Sequence, residues 1–385
     1  MSVDMKVPEI RFEGFSGDWN EVALSNVVDV RSGKDYKHLG KGSVPVYGTG
    51  GYMLSVDSAL SFDEDAIGIG RKGTIDNPYL LRAPFWTVDT LFHAVPYPDF
   101  ELNFVFCLLQ KIDWKNHDES TGVPSLSKVA INNIPVCLTN EKEQTQIGNT
   151  FQKLDSLINQ HQQKHDKLSS IKKAMLEKMF PKQGETTPEI RFKGFSGEWL
   201  NNSIGGICGT TFGGGTPSTN KKSFWQGEIP WIQSSDIKDG RVNSVAAKKH
   251  ITKAAVNKSA TKLISGNSIA IVTRVGVGKL SLMNSEYATS QDFLSLSDLQ
   301  INALYAVYVI WKQLQSEKEQ VQGTSIKGIT KDELLGKLIS YPEKDDEQIA
   351  IGSYFQKLDV LINQHQQQIT KLNNIKQACL SKMFV

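Results

Sequence analysis

The chain has 385 residues, of which 39% are hydrophobic and 22% charged, and its net charge is only +2. This length predicts about two globular domains that need no disulfide bonds to bury a core. The apolar runs are far shorter than the ~20 residues that span a bilayer, and the N-terminus lacks the apolar stretch of a signal peptide. Four scattered cysteines without a CxxC pair argue against a structural zinc site or a disulfide framework, so we expect a cytoplasmic protein.

Two segments of the chain occur twice. Residues 8–19 read PEIRFEGFSGDW and residues 188–199 read PEIRFKGFSGEW, an offset of 180. Residues 147–180 match residues 351–384 at an offset of 204, as in FQKLDSLINQHQQ and FQKLDVLINQHQQ. Such long-period similarity indicates one structural unit built twice. Constant ends around variable middles predict a symmetric frame that carries two different recognition regions, as expected for a two-part target.

Each variable region is predicted to mix short strands with a single helix, because Gly, Pro and Asn turns separate short β-prone runs. The predicted strands are Val44–Tyr47, Ala66–Ile69, Thr87–Val95, Ile229–Ile232 and Ser268–Thr273. The predicted helices are Asn103–Lys111 and Asn302–Leu314. Four aromatic residues are predicted to belong to the core or scaffold, namely Phe85, Trp86, Trp225 and Trp231.

The repeated tails are predicted to be long helices. A stripe of mostly apolar residues recurs at steps of three and four, from Ile147 to Met179 and again from Ile351 to Met383. Thirty-four helical residues span about 50 Å, and a helix with one apolar stripe needs a partner, for which the twin helix is expected. His161 and His165 have the spacing of half a metal site, but Ile369 replaces the second histidine in the other copy, so we expect no metal there.

Net charge is distributed unevenly along four predicted segments. It is −6 in residues 1–140, +2 in 141–187, +6 in 188–344 and 0 in 345–385. We interpret these segments as a first recognition domain, a first long helix with a polar linker, a second recognition domain and a second long helix. A nucleic-acid binder that acts alone usually carries a marked basic excess, so a partner is expected to supply many phosphate contacts.

Each variable region carries its own ordered set of short motifs. The first region contains SGKDYKHL (32–39), VPVYGTGGYM (44–53), AIGIGRKGTID (66–76), FWTVDTLF (85–92) and STGVPSLSK (120–128). The second contains GGTPST (214–219), FWQGEIPWIQSSDI (224–237), IVTRVGVGKL (271–280), ATSQDFLSL (288–296) and GTSIKGITKDEL (323–334). Each region closes on a Glu-Gln step into its helix, at 143–144 and 347–348. This ordered set, occurring twice around twin helices, resembles the specificity (S) subunit of Type I restriction–modification systems.

The resemblance implies an α+β protein with two mixed α/β target recognition domains in a pseudo-twofold arrangement. Two long helices, packed as an antiparallel coiled coil, would join the domains and set the length of the unread spacer between two half-sites of double-stranded DNA. It also implies a subunit without catalytic activity that docks two modification (methyltransferase) subunits and ATP-dependent restriction subunits. S-adenosylmethionine, ATP and Mg²⁺ would belong to those partners and not to this chain.

The reading loops are expected at corresponding places in the two regions, with Pro45 matching Pro230, Arg71–Gly73 matching Arg274–Lys279, and 120–122 matching 323–325. Lys and Arg suit phosphate and guanine contacts, and small polar side chains suit base edges. The candidates in the first region are Lys34, Tyr36, Lys37, His38, Thr49, Arg71, Lys72, Thr74 and Thr121. Those in the second are Thr216, Ser218, Gln233, Ser234, Ser235, Arg274, Lys279, Thr324 and Lys327.

Two alternative functions remain open from the sequence. A self-sufficient methyltransferase or nuclease would use Gly68–Gly73 (GxGxxG) with Asp76–Tyr79, or Asp99 with Asp113 and Lys115. We expect a hairpin loop at the first set and a helix that separates the members of the second. A coiled-coil scaffold without a DNA role is the other alternative, and it predicts no sequence-dependent binding to duplex DNA.

Overall fold

The computed structural model of the protein describes residues 6–182, 184–243, 245–320 and 328–385. The chain divides into two compact units: unit 1 is Met1–Gln162 with Gln366–Val385, and unit 2 is Gln163–His365. Both units combine helices with sheets, which confirms the predicted α+β class. Each long helix contributes to both units, so this division crosses the four segments inferred from the sequence. The boundaries of those segments stay predictions.

Unit 1 contains three small sheets. Its strands are β1 Asn20–Ala23, β2 Val28–Ser32, β3 Lys41–Gly48, β4 Gly51–Val56, β5 Ala66–Gly70, β6 Tyr79–Leu81, β7 Trp86–Thr87, β8 Leu91–Pro96 and β9 Pro135–Leu138. Its helices are α1 Leu102–Lys111, α2 Lys128–Asn132 and the first part of α3 Glu141–Lys178. The strand orders are β1-β9, β2-β8-β5-β6 and β4-β3-β7. All neighbours are antiparallel except β3 and β7, which are parallel.

Unit 2 repeats this topology. Its strands are β10 Leu200–Ser203, β11 Cys208–Gly213, β12 Ile229–Ile232, β13 Lys249–Ile251, β14 Ser268–Val272, β15 Leu280–Met283, β16 Ala288–Thr289, β17 Phe293–Leu299 and β18 Leu338–Tyr341. Its helices are α4 Lys253–Asn257, α5 Ala303–Gln320, α6 Lys331–Gly336 and the first part of α7 Asp345–Lys382. The strand orders β10-β18, β11-β17-β14-β15 and β13-β12-β16 match those of unit 1. The variable regions therefore share one fold although their sequences do not visibly repeat.

Several predicted elements need correction. The predicted strand Thr87–Val95 is interrupted, because a turn at residues 88–90 separates β7 from β8. The variable regions also contain short helices besides the single helix expected in each. Ser127 caps α2 and Thr330 caps α6, as each hydroxyl oxygen accepts a hydrogen bond from a first-turn backbone N–H. Helix α5 continues past Leu314 to Gln320.

The first repeated segment, residues 8–19 and again 188–199, is called the opening motif. A buried ion pair joins the opening motif of each repeat to the long helix that closes the same variable region. The Arg11 guanidinium donates two hydrogen bonds of 2.7 Å to the two carboxylate oxygens of Glu143, whose side chain is fully buried. Arg191 and Glu347 form the same bidentate pair at 2.7 Å. The arginines are related by the repeat offset of 180 and the glutamates by the offset of 204. Each ion pair therefore joins the two ends of one variable region.

The end of one long helix completes the core of the other repeat. In unit 1 the Ile10 N–H donates to the carbonyl of Lys382 at 2.8 Å, and Phe384 packs on Trp19, Phe104 and Phe151. The matching contacts in unit 2 run from the Ile190 N–H to the Lys178 carbonyl, also at 2.8 Å. The aromatic cluster there consists of Phe180 packed on Trp199, Tyr305 and Phe355. Each opening motif therefore lies against the C-terminal end of a long helix. Only the second motif also comes directly after that helix in the sequence.

Helices α3 and α7 pack antiparallel inside each unit. In unit 1 Lys376 of α7 pairs with Asp155 of α3 at 2.6 Å, and in unit 2 Lys172 of α3 pairs with Asp359 of α7 at 2.5 Å. The step forward from Asp155 to Lys172 on α3 equals the step back from Lys376 to Asp359 on α7. The two pairs therefore fit a single antiparallel register. The predicted coiled-coil pairing is confirmed. Ile375 departs from the predicted stripe, since it is exposed.

Candidate nucleic-acid interface

In unit 1 the candidate site is centred on the turn between β7 and β8, residues 88–90, which we call the hub turn. The Lys34 backbone N–H donates to the Thr87 carbonyl at 2.8 Å, and the Arg71 N–H donates to the Thr90 carbonyl at 2.8 Å. The Arg71 guanidinium also donates to the Asp89 carbonyl at 3.3 Å. The side chains of Lys34, Arg71 and Lys72 are all exposed, so three cations surround one turn.

The β3–β4 hairpin brings Thr49 to the same place. A Cβ added to Gly73 would lie 3.8 Å from the Thr49 hydroxyl oxygen, and Gly73 itself has a positive φ of 97° that favours glycine. The Tyr79 hydroxyl donates to the Gly48 carbonyl at 2.5 Å and so ties the β3–β4 hairpin to β6. Burial raises the pKa of Tyr79, which keeps the hydroxyl protonated and able to donate.

The loop that carries Thr121 packs beside residues 71–73. The Gly73 N–H donates to the Pro124 carbonyl at 2.8 Å, and the Leu126 N–H donates to the Arg71 carbonyl at 2.9 Å. The Asp118 carboxylate closes this loop by accepting hydrogen bonds from the backbone N–H groups of Ser120 and Ser125. These bonds lower the pKa of Asp118, and they leave Thr121 exposed at the tip.

In unit 2 the turn between β16 and β17 takes the same role. The Gly215 N–H donates to the Thr289 carbonyl at 2.9 Å, and the Arg274 N–H donates to the Asp292 carbonyl at 3.3 Å. The Thr216 hydroxyl lies 2.5 Å from the amide oxygen of Gln291. The two turns therefore hold equivalent loops, but exposed Gln291 stands where unit 1 has the exposed acid Asp89.

The other candidates of unit 2 lie on the two flanks of this turn. Gln233 begins a 3-10 turn that carries Ser234 and Ser235, and its backbone N–H donates to the Asp236 carboxylate at 3.0 Å. The Ser290 N–H donates to the carbonyl of Ile232, which places that turn next to the hub. Lys279 lies across the β14–β15 connection from Arg274 and is half-buried.

The two units exchange a tryptophan across neighbouring strands. In unit 1 Trp86 of β7 pairs with Val46 of β3, whereas in unit 2 Trp231 of β12 pairs with Ala288 of β16. Each indole N–H nevertheless donates to the same structural position, the Lys34 carbonyl at 2.9 Å or the Gly215 carbonyl at 3.0 Å. The aromatic ring that anchors the first reading loop thus comes from a different strand in each unit.

The structure places the remaining candidates as follows. Pro45 and Pro230 precede equivalent residues of β3 and β12, as expected, whereas Lys72 and not Arg71 is the structural counterpart of Arg274. Tyr36 packs half-buried against a small core, and exposed His38 contacts Trp86. Exposed positions are also found for Lys37, Thr74 and Ser218. Thr324 and Lys327 lie outside the described residues.

Sequence reasoning missed the hub turns and an exposed apolar pair. The predicted strand Thr87–Val95 includes Asp89 and Thr90, and no prediction singles out Gln291 or Asp292, although the Asp in each of the motifs TVDT and TSQD marks a turn. Tyr52 and Met53 of β4 are 63% and 49% exposed beside the hairpin that carries Thr49. No local sequence pattern marked these two side chains as exposed.

The residues of the alternative enzymatic sites lie in strands and connecting segments of unit 1. Gly68 and Gly70 lie in β5, Tyr79 lies in β6, and the segment between them is a hairpin loop. Asp76 and Lys115 do meet, at 2.7 Å, but both side chains are exposed. Lys115 lowers the pKa of Asp76 through their hydrogen bond. Helix α1 separates Asp99 from Asp113, as the sequence predicted.

Comparison with known proteins decides the family. The model of the Type I restriction modification DNA specificity domain matches residues 16–170 and again residues 196–374. This chain belongs to that family. The chain is 46% identical over 89 residues to the specificity subunit of the Type I restriction enzyme EcoR124I/EcoR124II of Escherichia coli, a match covering 23% of this chain and 21% of the relative. It is 26% identical over 186 residues to the MjaIX specificity subunit of Methanocaldococcus jannaschii, covering 46% of this chain and 42% of that one.

The matched stretches thus span less than half of those relatives. The fold of the chain is similar to the crystal structure of a Type I restriction–modification S subunit from M. genitalium, with a TM-score of 0.74, 13% identity and coverage of 98% and 99% of the two chains. In the described part of the chain, no helix is long and apolar enough to cross a membrane. The same residues contain no group of three or more His, Cys, Asp or Glu side chains placed to hold a metal ion.

Proposed function

We propose that this specificity subunit reads a split, asymmetric sequence in double-stranded DNA, with one half-site for each unit. The observation that carries the proposal is that equivalent loops surround equivalent turns but present different side chains. Lys34 and Asp89 of unit 1 correspond to Gly215 and Gln291 of unit 2. Base edges in the major groove are told apart by donor and acceptor pattern, so two such sets would read two different sequences.

The candidate residues fall into two chemical classes. Arg71, Lys72 and Arg274 are exposed cations on backbone-anchored turns, and they suit phosphates or guanine edges. Thr49, Thr121 and the Gln233–Ser235 group suit base edges through hydroxyl and amide groups. We assign Thr324 and Lys327 to the same site by their position in the sequence.

The catalytic steps would be carried out by partner subunits. Two modification subunits would supply methyl transfer with S-adenosylmethionine, and restriction subunits would use ATP and Mg²⁺. Helices α3 and α7 would provide the docking surface, because each exposes an apolar side chain at the same repeat position. Leu157 is 43% exposed and Leu361 is 42% exposed. Replacing both by Gln should reduce co-purification of the modification subunit, whereas Val129→Gln, at a more exposed apolar position outside these helices, should not.

The paired helices would also set the number of unread base pairs. Each helix has 38 residues and is therefore about 57 Å long. Half-sites on one face of B-DNA lie about one turn apart, near 34 Å, and a slip of one base pair rotates a reading loop by about 35°. Deleting about four to seven residues, one turn or one heptad, from α3 or α7 should change the spacer or abolish activity.

A domain exchange tests the central claim. Residues 20–140 are replaced by the same region of a relative, the chain is expressed with its modification subunit, and the methylated sequence is determined by methylome sequencing. We expect one half of the recognised sequence to change while the other half and the spacer stay the same. The reciprocal exchange of residues 200–341 should change only the other half. A change of both halves in either exchange would refute the assignment of one unit per half-site.

A further inference from the structure

The two reading regions differ in charge at one matched segment. Residues 35–61 of unit 1 and residues 216–264 of unit 2 both run from the first reading loop to an isolated β-bridge, Ser61 with Phe85 or Ile264 with Tyr287. The first segment has two basic and two acidic residues, a net charge of 0. The second has nine basic and three acidic residues, a net charge of +6.

The excess charge gathers on one face of unit 2, which we call the lysine face. Its members are exposed side chains in the edge strand β13, in α4 and in the 3-10 turn Lys222–Trp225, or one residue before these elements, namely Lys221, Lys222, Lys248, Lys249 and Lys253. The Thr252 N–H donates to the Phe224 carbonyl at 3.0 Å and joins these segments. In the described residues none of the five lysines forms a salt bridge, so their charge is not neutralised within the unit.

Two tryptophans connect the lysine face to the candidate reading loop. The ammonium of Lys249 lies 5.6 Å from the ring centres of both Trp225 and Trp231. The Trp225 indole N–H donates to the Ser218 carbonyl at 3.1 Å, and the Trp231 indole N–H donates to the Gly215 carbonyl. The same rings therefore order a cation of the face and the backbone of the loop that carries Thr216 and Ser218.

We propose that the lysine face binds DNA phosphates next to the half-site read by unit 2, and that it has no equivalent in unit 1. This inference rests on the proposed DNA-reading function. The counterpart of β13 in unit 1 is β4, which exposes uncharged Tyr52 and Met53. Unit 2 therefore contributes most of the salt-dependent, sequence-independent affinity, and unit 1 contributes mainly discrimination.

The test measures how affinity depends on salt. The full chain, together with its modification subunit, is titrated with the recognised duplex and with a scrambled duplex from 50 to 250 mM KCl. Each lost phosphate contact lowers the slope of log affinity against log salt by about 0.9. A Lys221→Gln, Lys222→Gln, Lys249→Gln variant should lower the slope by about 2 to 3 and weaken both duplexes by the same factor. The methylated sequence should not change.

Matched variants separate the possible outcomes. Lys193→Gln with Lys344→Gln removes two exposed lysines of unit 2 away from the face and should leave the slope unchanged. The triple Lys→Arg variant should keep the wild-type slope, which separates charge from folding. An unchanged slope in the triple Gln variant refutes the inference, as does a selective loss of the modification subunit with DNA affinity intact, which would mark a protein-docking face. If the wild type itself shows no sequence preference, the proposed function fails instead.

Discussion

Arg11 binds Glu143 through two parallel hydrogen bonds of 2.7 Å, at a separation of 132 positions along the chain. Charge-assisted pairs of this geometry are directional as well as strong. The carboxylate also accepts from the Thr139 hydroxyl, and the hydrogen bond to Glu143 raises the pKa of Arg11. The pair therefore closes the variable region between two repeated segments.

Breaking this pair should destabilise unit 1. Glu143→Gln leaves a mostly buried guanidinium without its counter-charge, and we expect a loss of about 3 kcal/mol in the free energy of unfolding. Glu9→Gln, which removes the exposed partner of Lys382, should cost less than about 1 kcal/mol. Urea denaturation with hydrogen exchange resolved by segment would measure both. Equal losses would contradict the role given to the buried pair.

The two cross-helix ion pairs should differ in their contribution. Asp359 accepts from Lys172 and also from the Tyr308 hydroxyl at 2.7 Å, and Lys172 is buried. The counterpart Asp155 is more exposed and pairs with Lys376. Asp359→Asn should therefore destabilise by about 3 kcal/mol and Asp155→Asn by about 1 kcal/mol. Exchange of α3 amides in each unit would show the difference, and a larger effect at Asp155 would overturn the ranking.

Unit 1 should lose stability on mild acidification through His93. Burial lowers the pKa of His93 to about 4, and its ring nitrogen contacts the Thr87 hydroxyl at 3.1 Å. An unfolded histidine titrates near 6.5, so between pH 6.5 and 4 the unfolded state takes up the proton and the folded state does not. The contribution is present above pH 6.5 and falls by about 2 kcal/mol at pH 5.

The control for this titration is His93→Gln, which keeps a polar partner for Thr87 but does not titrate. Stability is compared between pH 7 and pH 5 by denaturant unfolding of both proteins. We expect the drop to be about 2 kcal/mol smaller in the variant. An identical pH dependence would show that His93 is not the responsible group.

The exchanged tryptophan should be transferable within unit 1. Trp86→Ala removes a buried ring and the hydrogen bond to Lys34, and we expect it to cost about 3–5 kcal/mol. Adding Val46→Trp recreates the arrangement of Trp231 and Ala288 in unit 2. Thermal unfolding should show that the double variant recovers part of the loss. A double variant that is less stable than Trp86→Ala alone would mean that the two pockets are not equivalent.

The two ends of the chain should be joinable. Ile10 and Lys382 make the hydrogen bond that Ile190 and Lys178 make next to the natural linker, residues 181–187. A permuted chain would place that linker sequence between Phe384 and Pro8 and open at the original linker. We expect it to fold with near-wild-type circular dichroism and to keep the methylated sequence. A permutant that unfolds would show that the covalent link in unit 2 is not replaceable.

The family and the antiparallel packing followed from the resemblance of the motifs, whereas the repeated segments and the long helices were predictable from the residues themselves. Their physical basis is local, because an apolar stripe at helical spacing needs only neighbouring residues to be recognised. Strands such as Ile229–Ile232 and Ser268–Val272 were also found, since their β-prone runs end at turn residues.

Only the tertiary structure decided which residues meet. The Arg11–Glu143 pair, the hub turns at 88–90 and 290–292, and the tryptophan exchange each join residues far apart in the chain. No local pattern encodes such pairings, because they depend on strand register and on which side chain fills a shared pocket. The strand order that the two variable regions share could not be predicted for the same reason, since packing constrains volume and burial more than residue identity.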